Sequence, residues 1–113
     1  MHKSGHQYLQ FSNAIRDINK YYKLYDAKEV MVLEAVLAAH FDDSPCSVLD
    51  LILRKEIASQ ATIHSILKNL IHKKLIKAEV SKIDARRRNI IPTKLSISWL
   101  DDSLAALKSY AKK

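Results

Sequence analysis

The chain has 113 residues, 48% of them hydrophobic and 27% charged, with a formal net charge of +7. This is enough chain for one domain with a modest core and too apolar for a disordered tail, and no segment approaches the roughly 20 apolar residues that cross a bilayer. Cys46 is the only cysteine, which excludes an internal disulfide and a cysteine-rich metal site.

The opening stretch MHKSGHQYLQF lacks the apolar core of a signal peptide, so a cytoplasmic protein without a membrane partner is expected. The positive charge is localised. Residues 54–94 hold 11 Lys and Arg against three acids, while the rest of the chain holds 8 basic and 9 acidic residues. A basic segment of this kind suits a polyanionic partner, although charge alone leaves a merely solvated face open.

One glycine, Gly5, and two prolines, Pro45 and Pro92, leave few breakers, which favours helices with short connections. Over residues 7–25 the apolar residues Tyr8, Phe11, Ile15, Ile18, Tyr22 and Tyr25 recur at three- and four-residue steps, which predicts a long amphipathic helix with a coiled-coil-like seam. Asp26 is placed to cap a second, core helix, AKEVMVLEAVLAAHF, with Glu29 completing a capping box. DDSPCS (42–47) reads as a loop and SVLDLILRKEIA (47–58) as a third helix. Ser59 is a good N-cap for a fourth, QATIHSILKNLIHKKL.

In that fourth helix Ile63, Ile66, Leu67, Leu70 and Ile71 form an apolar stripe. Ala61, Ser65, Lys68 and His72 fall on the opposite face, flanked by Thr62, His64 and Asn69. No acid occurs from Ala58 to Ala78, where a purely structural helix tends to carry Glu/Lys pairs. His64 and His72 are eight residues apart, too far for an i, i+4 metal pair, and no metal or other cofactor is expected.

After Leu75 the hydrophobic period falls to two. IKAEVSK (76–82) reads as a half-buried strand and NIIPTKLSI (89–97) as its return, with IDARRR at the hairpin tip. Pro92 has no N–H to give a ladder, so the returning strand is expected at an edge or with a bulge. A short last helix over 98–111 carries Trp99, Leu100, Leu104, Leu107 and Tyr110, with Trp99 in the core.

Two helices joined tightly and followed by a basic hairpin make a winged helix-turn-helix, a mainly α fold of about five helices and a two-stranded wing. In such a fold the second helix suits the major groove, whose base edges require small or hydrogen-bonding side chains. The hairpin suits the neighbouring backbone and minor groove. Three adjacent arginines at its tip are tolerable where phosphates sit between them.

The residues also resemble the MarR family of bacterial transcriptional regulators, whose recognition helix begins S-x-A-T-hydrophobic and whose wing carries D-x-R-x-R before a short apolar stretch ending in Leu-Thr. Ser59, Ala61, Thr62 and Ile63 match the helix start. Asp84, Arg86, Arg88 and Thr93 match the wing, with Pro92 in place of the leucine and Lys74 in place of the glycine that usually follows the helix. The match is specific over residues 47–95.

This resemblance implies a homodimer on a pseudo-palindromic double-stranded operator, with recognition helix 59–74 in the major groove and wing 82–90 on backbone and minor groove. The expected DNA-contacting residues are Ser59, Gln60, Ala61, Thr62, His64, Ser65, Lys68, Asn69, Lys82, Asp84, Arg86, Arg87 and Arg88. One wing arginine enters the minor groove while the aspartate orients an arginine, without a decision between Arg86 and Arg88. Dimerisation is expected from the N-terminal helix (1–25) and the C-terminal helix (98–113), through Tyr8, Phe11, Ile15, Ile18, Tyr22, Leu104 and Leu107.

Family members are usually longer, with two long C-terminal helices, and a small-molecule inducer is left open. No glycine-rich phosphate loop, nucleophile triad or acid cluster points to an enzyme. The alternatives are a winged-helix protein-interaction module and a plasmid or phage replication protein. The first typically loses the basic wing and carries acids on the recognition helix, which this sequence does not.

Overall fold

The computed structural model describes residues 2–111, with side chains from residue 5, and divides them into two compact units. One is built from residues within 1–25 and 98–113, the other from residues 26–97. The ends of the expected segments 1–25 and 98–113, residue 1 and residues 112–113, lie outside the described residues. In chain order the elements are α1 (His2–Tyr21), α2 (Ala27–Phe41), α3 (Val48–Ile52), α4 (Gln60–His72), β1 (Ile76–Val80), β2 (Arg88–Pro92) and α5 (Lys94–Ala111).

In the 26–97 unit, Val32, Leu33, Val36 and Leu37 of α2 are buried, as are Leu51 of α3 and Ile63, Ile66, Leu67 and Leu70 of α4. Ile76 and Ile90 from the hairpin are buried as well. The α4 stripe is the face predicted from its spacing, except that Ile71 is 42% exposed at the stripe's margin. Each aliphatic side chain fully buried in this way contributes about 1.5–3 kcal/mol to folding.

Helix ends are where sequence and structure part. Among the described residues, three helices finish in a left-handed residue that is not glycine: Lys23 (φ 64°), Asp43 (φ 53°) and Lys74 (φ 63°). In each, paired backbone N–H groups turn back onto the last helical carbonyls, as Lys74 and Leu75 do onto Ile71 and Leu70 at 2.9 and 3.0 Å. The Lys23 turn ends α1 at Tyr21, so the helix does not reach Tyr25. Asp26 does cap α2, accepting from the Lys28 N–H at 2.9 Å, but Glu29 makes no capping box. Its carboxylate is buried against Lys73 instead.

The third helix is far shorter than the predicted 47–58. Ser47 and Asp50 close a reciprocal capping box at its start. After Ile52 the backbone tightens, Arg54 donating to Leu51 and Ile57 to Arg54, and buried Ile57 follows from this turn. The hairpin is antiparallel, with Ile76 opposite Pro92 and Val80 opposite Arg88. β1 is not half-buried, because beyond Ile76 all its residues are exposed.

β2 is an edge strand of the two-stranded sheet, as expected for the strand that carries Pro92, and only its start has a second neighbour. Asn89 bridges Ser47, and the Ile90 N–H donates to the Cys46 carbonyl at 2.7 Å, so β2 has neighbours on both sides there. Pro92 is accommodated because it lies at the end of the strand. The strand stops there rather than at Ile97, since Thr93 and Ser96 cap α5 reciprocally, each N–H donating to the other's hydroxyl at 3.0 and 3.3 Å. α5 consequently runs 18 residues from Lys94, longer than the helix predicted from Ser98.

In the other unit the Trp99 indole N–H donates to the Asn19 side chain at 2.8 Å, and Trp99 is buried as expected. The Tyr22 hydroxyl donates to Asp102 at 2.6 Å. Tyr22 is only 7% exposed, which withdraws it from the residues expected to face a second copy of the chain. Phe11 meets Tyr110 edge-on at 6.5 Å. Among the described residues no helix is long and apolar enough to cross a membrane.

Candidate nucleic-acid interface

The site begins with the cap of α4. Ser59 accepts from the Thr62 N–H at 3.2 Å, and its hydroxyl donates to the Thr62 hydroxyl at 2.9 Å. These two side chains therefore fix the helix start before they can meet anything else. Gln60, Ala61, His64, Ser65, Lys68 and Asn69 are all exposed, as are Ser59 and Thr62. Burial of Ile63, Ile66, Leu67 and Leu70 forces this outcome, because a 3.6-residue period turns the intervening positions outward.

The far end of α4 is held firmly. Lys73, its C-cap, places its ammonium on both carboxylate oxygens of Glu29, at 2.9 and 3.0 Å. The Thr93 hydroxyl donates to the Lys74 carbonyl at 2.8 Å, tying the left-handed turn to the start of α5. Lys74 takes the conformation that glycine usually supplies, so the turn keeps its shape despite the substitution.

The wing loop, residues 81–87, is organised by its own polar groups. The Ser81 N–H donates to the Arg87 carbonyl at 2.9 Å and the Arg87 N–H to the Asp84 carbonyl at 3.0 Å. Ser81 Oγ accepts from the N–H groups of Ile83 and Asp84 at 3.2 and 3.3 Å. Lys82, Arg86, Arg87 and Arg88 are exposed, and Asp84 is partly buried.

The three arginines have different surroundings. Asp84 Oδ1 accepts from both the Arg86 N–H and its Nε, at 3.0 and 3.3 Å, so the aspartate organises Arg86. Those two bonds, the backbone one first, hold the Asp84 carboxyl below the ordinary carboxylate range. Arg87 lies 3.6 Å from Asp50, which completes the capping box of α3, and Arg88 opens β2 opposite Val80. Backbone and side-chain bonds from Ser47, with a smaller contribution from the Arg87 charge, lower the Asp50 carboxyl as well.

Asp50 and Ile83 were not among the expected site residues. The Ser-x-x-Asp spacing is the sequence signal for Asp50 as a cap, whereas its pairing with Arg87 is tertiary and leaves no local trace. Ile83, at 95% the most exposed large apolar side chain described, stands in the wing loop. Among the described residues no group of three or more His, Cys, Asp or Glu could hold a metal ion. Cys46 is buried, and that burial raises its thiol above the ordinary range.

No protein-family model matches the sequence, and no curated protein matches it. Solved structures do. A mutant of S. aureus MepR bound to an oligodeoxyribonucleotide is similar over 91% of this chain and 72% of that one, with a TM-score of 0.74 and 19% identity. The S. aureus MepR–DNA complex has a TM-score of 0.72 at 22% identity over 93% of this chain and 79% of that one. Transcriptional regulator Tm0710 from Thermotoga maritima has a TM-score of 0.69 at 10% identity over 92% of this chain and 69% of that one. At such identities the likeness is one of fold, and with five helices and an antiparallel two-stranded hairpin among the described residues the chain has the winged helix-turn-helix fold of these regulators.

Proposed function

We propose that the protein is a MarR-like transcriptional regulator, acting as a repressor in the cytoplasm, that binds double-stranded DNA sequence-specifically. The carrying observation is the outer face of α4: Gln60, Ala61, His64, Ser65, Lys68 and Asn69 are all exposed, and none is acidic. Ser65 and Asn69 read base edges, while Lys68 takes either a base or a phosphate. The Gln60 end of α4 presents a helix N-terminus, capped by Ser59 and Thr62, to the backbone.

In the wing, Lys82, Arg86 and Arg88 neutralise phosphates beside the minor groove, with Asp84 holding the Arg86 guanidinium in place for its phosphate. Arg87 joins them by exchanging Asp50 for a phosphate. Their exposed pair at 3.6 Å is worth about 0–1 kcal/mol, so the exchange costs little. The likeness to MepR in complex with DNA supports this reading.

The protein acts as a homodimer through Tyr8, Phe11, Ile15, Ile18, Leu104 and Leu107. Tyr8, Leu104 and Leu107 are 65%, 45% and 50% exposed, which supports their use against a second copy. Selection of bound duplexes from a random pool tests the whole reading. It should return an inverted repeat with half-sites about 10 base pairs apart, centre to centre. Recovery of no preferred sequence would sink the regulator assignment.

A further inference from the structure

The wing loop holds a feature that charge neutralisation leaves unused. Ile83 is 95% exposed, in a loop otherwise made of polar, charged and alanine side chains. A full aliphatic side chain in water forgoes about 1.5–3 kcal/mol of burial, and a loop that needed only charge has no use for it.

Its presentation is fixed by the backbone. The Ile83 N–H is held by Ser81 Oγ at 3.2 Å, and the next N–H, of Asp84, by the same oxygen at 3.3 Å. The Ser81–Arg87 and Arg87–Asp84 bonds close the loop on either side of it. Exposed Lys82 precedes Ile83, and Arg86, with its side chain 91% exposed, follows two residues after Asp84. An apolar tip between cations is complementary to a surface that is anionic outside and apolar within. A nucleic-acid minor groove, with phosphate rims, sugar walls and stacked bases, has that character.

We propose that Ile83 is an apolar wedge that enters the DNA minor groove at the wing, partly unstacking a base step between the phosphate contacts of Lys82 and Arg86. The inference rests on the DNA-binding reading above. It adds that the wing selects deformable pyrimidine–purine steps beside the half-site and bends the duplex there.

The test uses the full chain and a duplex recovered from the random pool, labelled at both ends so that energy transfer reports bending. Because Ile83 is almost wholly exposed, its variants keep the wild-type melting temperature. Ile83→Ala should bind about tenfold more weakly, bend the duplex less, and lose its preference at the flanking step. Its salt slope should stay unchanged, since the substitution leaves every phosphate-binding side chain in place. Ile83→Leu should restore binding and bend.

Ile83→Lys separates a wedge from a merely cationic tip. A wedge predicts loss of bending despite the added charge, whereas a cationic tip predicts tighter binding and a steeper salt slope. Unchanged affinity and bend in Ile83→Ala, or tighter binding by Ile83→Lys, overturns the wedge and leaves the regulator reading intact. Failure of the wild-type protein to bind any duplex overturns both. Binding of wild-type protein, but not Ile83→Ala, to anionic lipid vesicles with no effect of the substitution on DNA also overturns the wedge, and assigns the tip to a membrane surface.

Discussion

The Lys73 ammonium lies 2.9 and 3.0 Å from the two carboxylate oxygens of Glu29, joining the last residue of the α4 cap to the first turn of α2. Both side chains are withdrawn from water, at 18% and 7% exposure. Removing one member leaves a buried charge without its partner, which costs about 3–5 kcal/mol in general. Lys73 retains some access to water, so Glu29→Ala should sit near the lower end, at about 3 kcal/mol. Urea unfolding measures this. A change below about 0.5 kcal/mol would show that the pair does not anchor α4.

Lys74 holds a left-handed backbone at φ 63°, where an L side chain costs about 1–2 kcal/mol. Lys74→Gly should therefore raise stability by about 1 kcal/mol and raise the melting temperature. The Thr93 hydroxyl still finds the residue 74 carbonyl in this variant, because only the side chain is removed. A lower melting temperature would mean that the lysine side chain contributes more than its backbone costs.

These two residues also mark how far the sequence could be read. The α4 stripe and its exposed opposite face follow from spacing, since burial of Ile63, Ile66, Leu67 and Leu70 determines both. The hairpin followed from the change of period after Leu75. Helix ends were harder, because Lys23, Asp43 and Lys74 terminate helices without the glycine that announces such a turn. Glu29 stands at the right spacing for a capping box, but a partner 44 residues away outcompetes the local bond. Thr93 and Ser96 lack the Thr-x-x-Glu form, which concealed the start of α5. In the candidate site, the family resemblance implied that Asp84 orients an arginine without deciding between Arg86 and Arg88, so both the choice of Arg86 and the Arg87–Asp50 pair required the fold.

Tyr22 donates its hydroxyl to Asp102 at 2.6 Å, and this bond, helped by burial and by the carboxylate charge, pushes the phenol up to about 12. The folded state thus favours the protonated phenol. Its stabilisation is complete below the unfolded value of 10.0 and disappears as pH rises toward about 12. Tyr22 should ionise late in an ultraviolet titration of the folded protein, and Tyr22→Phe should abolish that late step. Tyr22→Phe should also cost about 1 kcal/mol at neutral pH. A late step that persists in the variant would assign the raised phenol to another residue.

Asp50 is held below its ordinary value of 3.8 chiefly by bonds from Ser47. A depressed carboxyl stabilises the fold above that value and loses its contribution as pH falls through the lower, folded one. Melting temperature should therefore fall as the solution is acidified below about pH 4, with the α3 cap and the Arg87 pairing released together. The Asp50 side chain is 55% exposed, so solvent keeps the effect modest. Asp50→Asn should be less stable at neutral pH and show a shallower acid limb. Parallel limbs in the two proteins would remove Asp50 from the acid response.

The wing and α4 make separable demands on DNA binding. Arg86 and Arg88 carry charge to the backbone, so each phosphate left without its arginine should flatten the plot of log affinity against log salt by about 0.9 for duplex DNA. Arg86→Ala with Arg88→Ala should thus weaken binding to all sequences alike and reduce the slope by about 2. Ser65→Ala and Asn69→Ala remove no charge. They should leave the slope intact and relax preference at single base pairs, by about 1–3 kcal/mol for each base edge no longer read. Titrating each variant against the selected duplex and a scrambled one, over a range of salt, distinguishes the two classes. An unchanged slope in the arginine double variant would remove the wing from the backbone. A uniform loss in the Ser65 or Asn69 variant would reduce that residue from reading bases to positioning the helix.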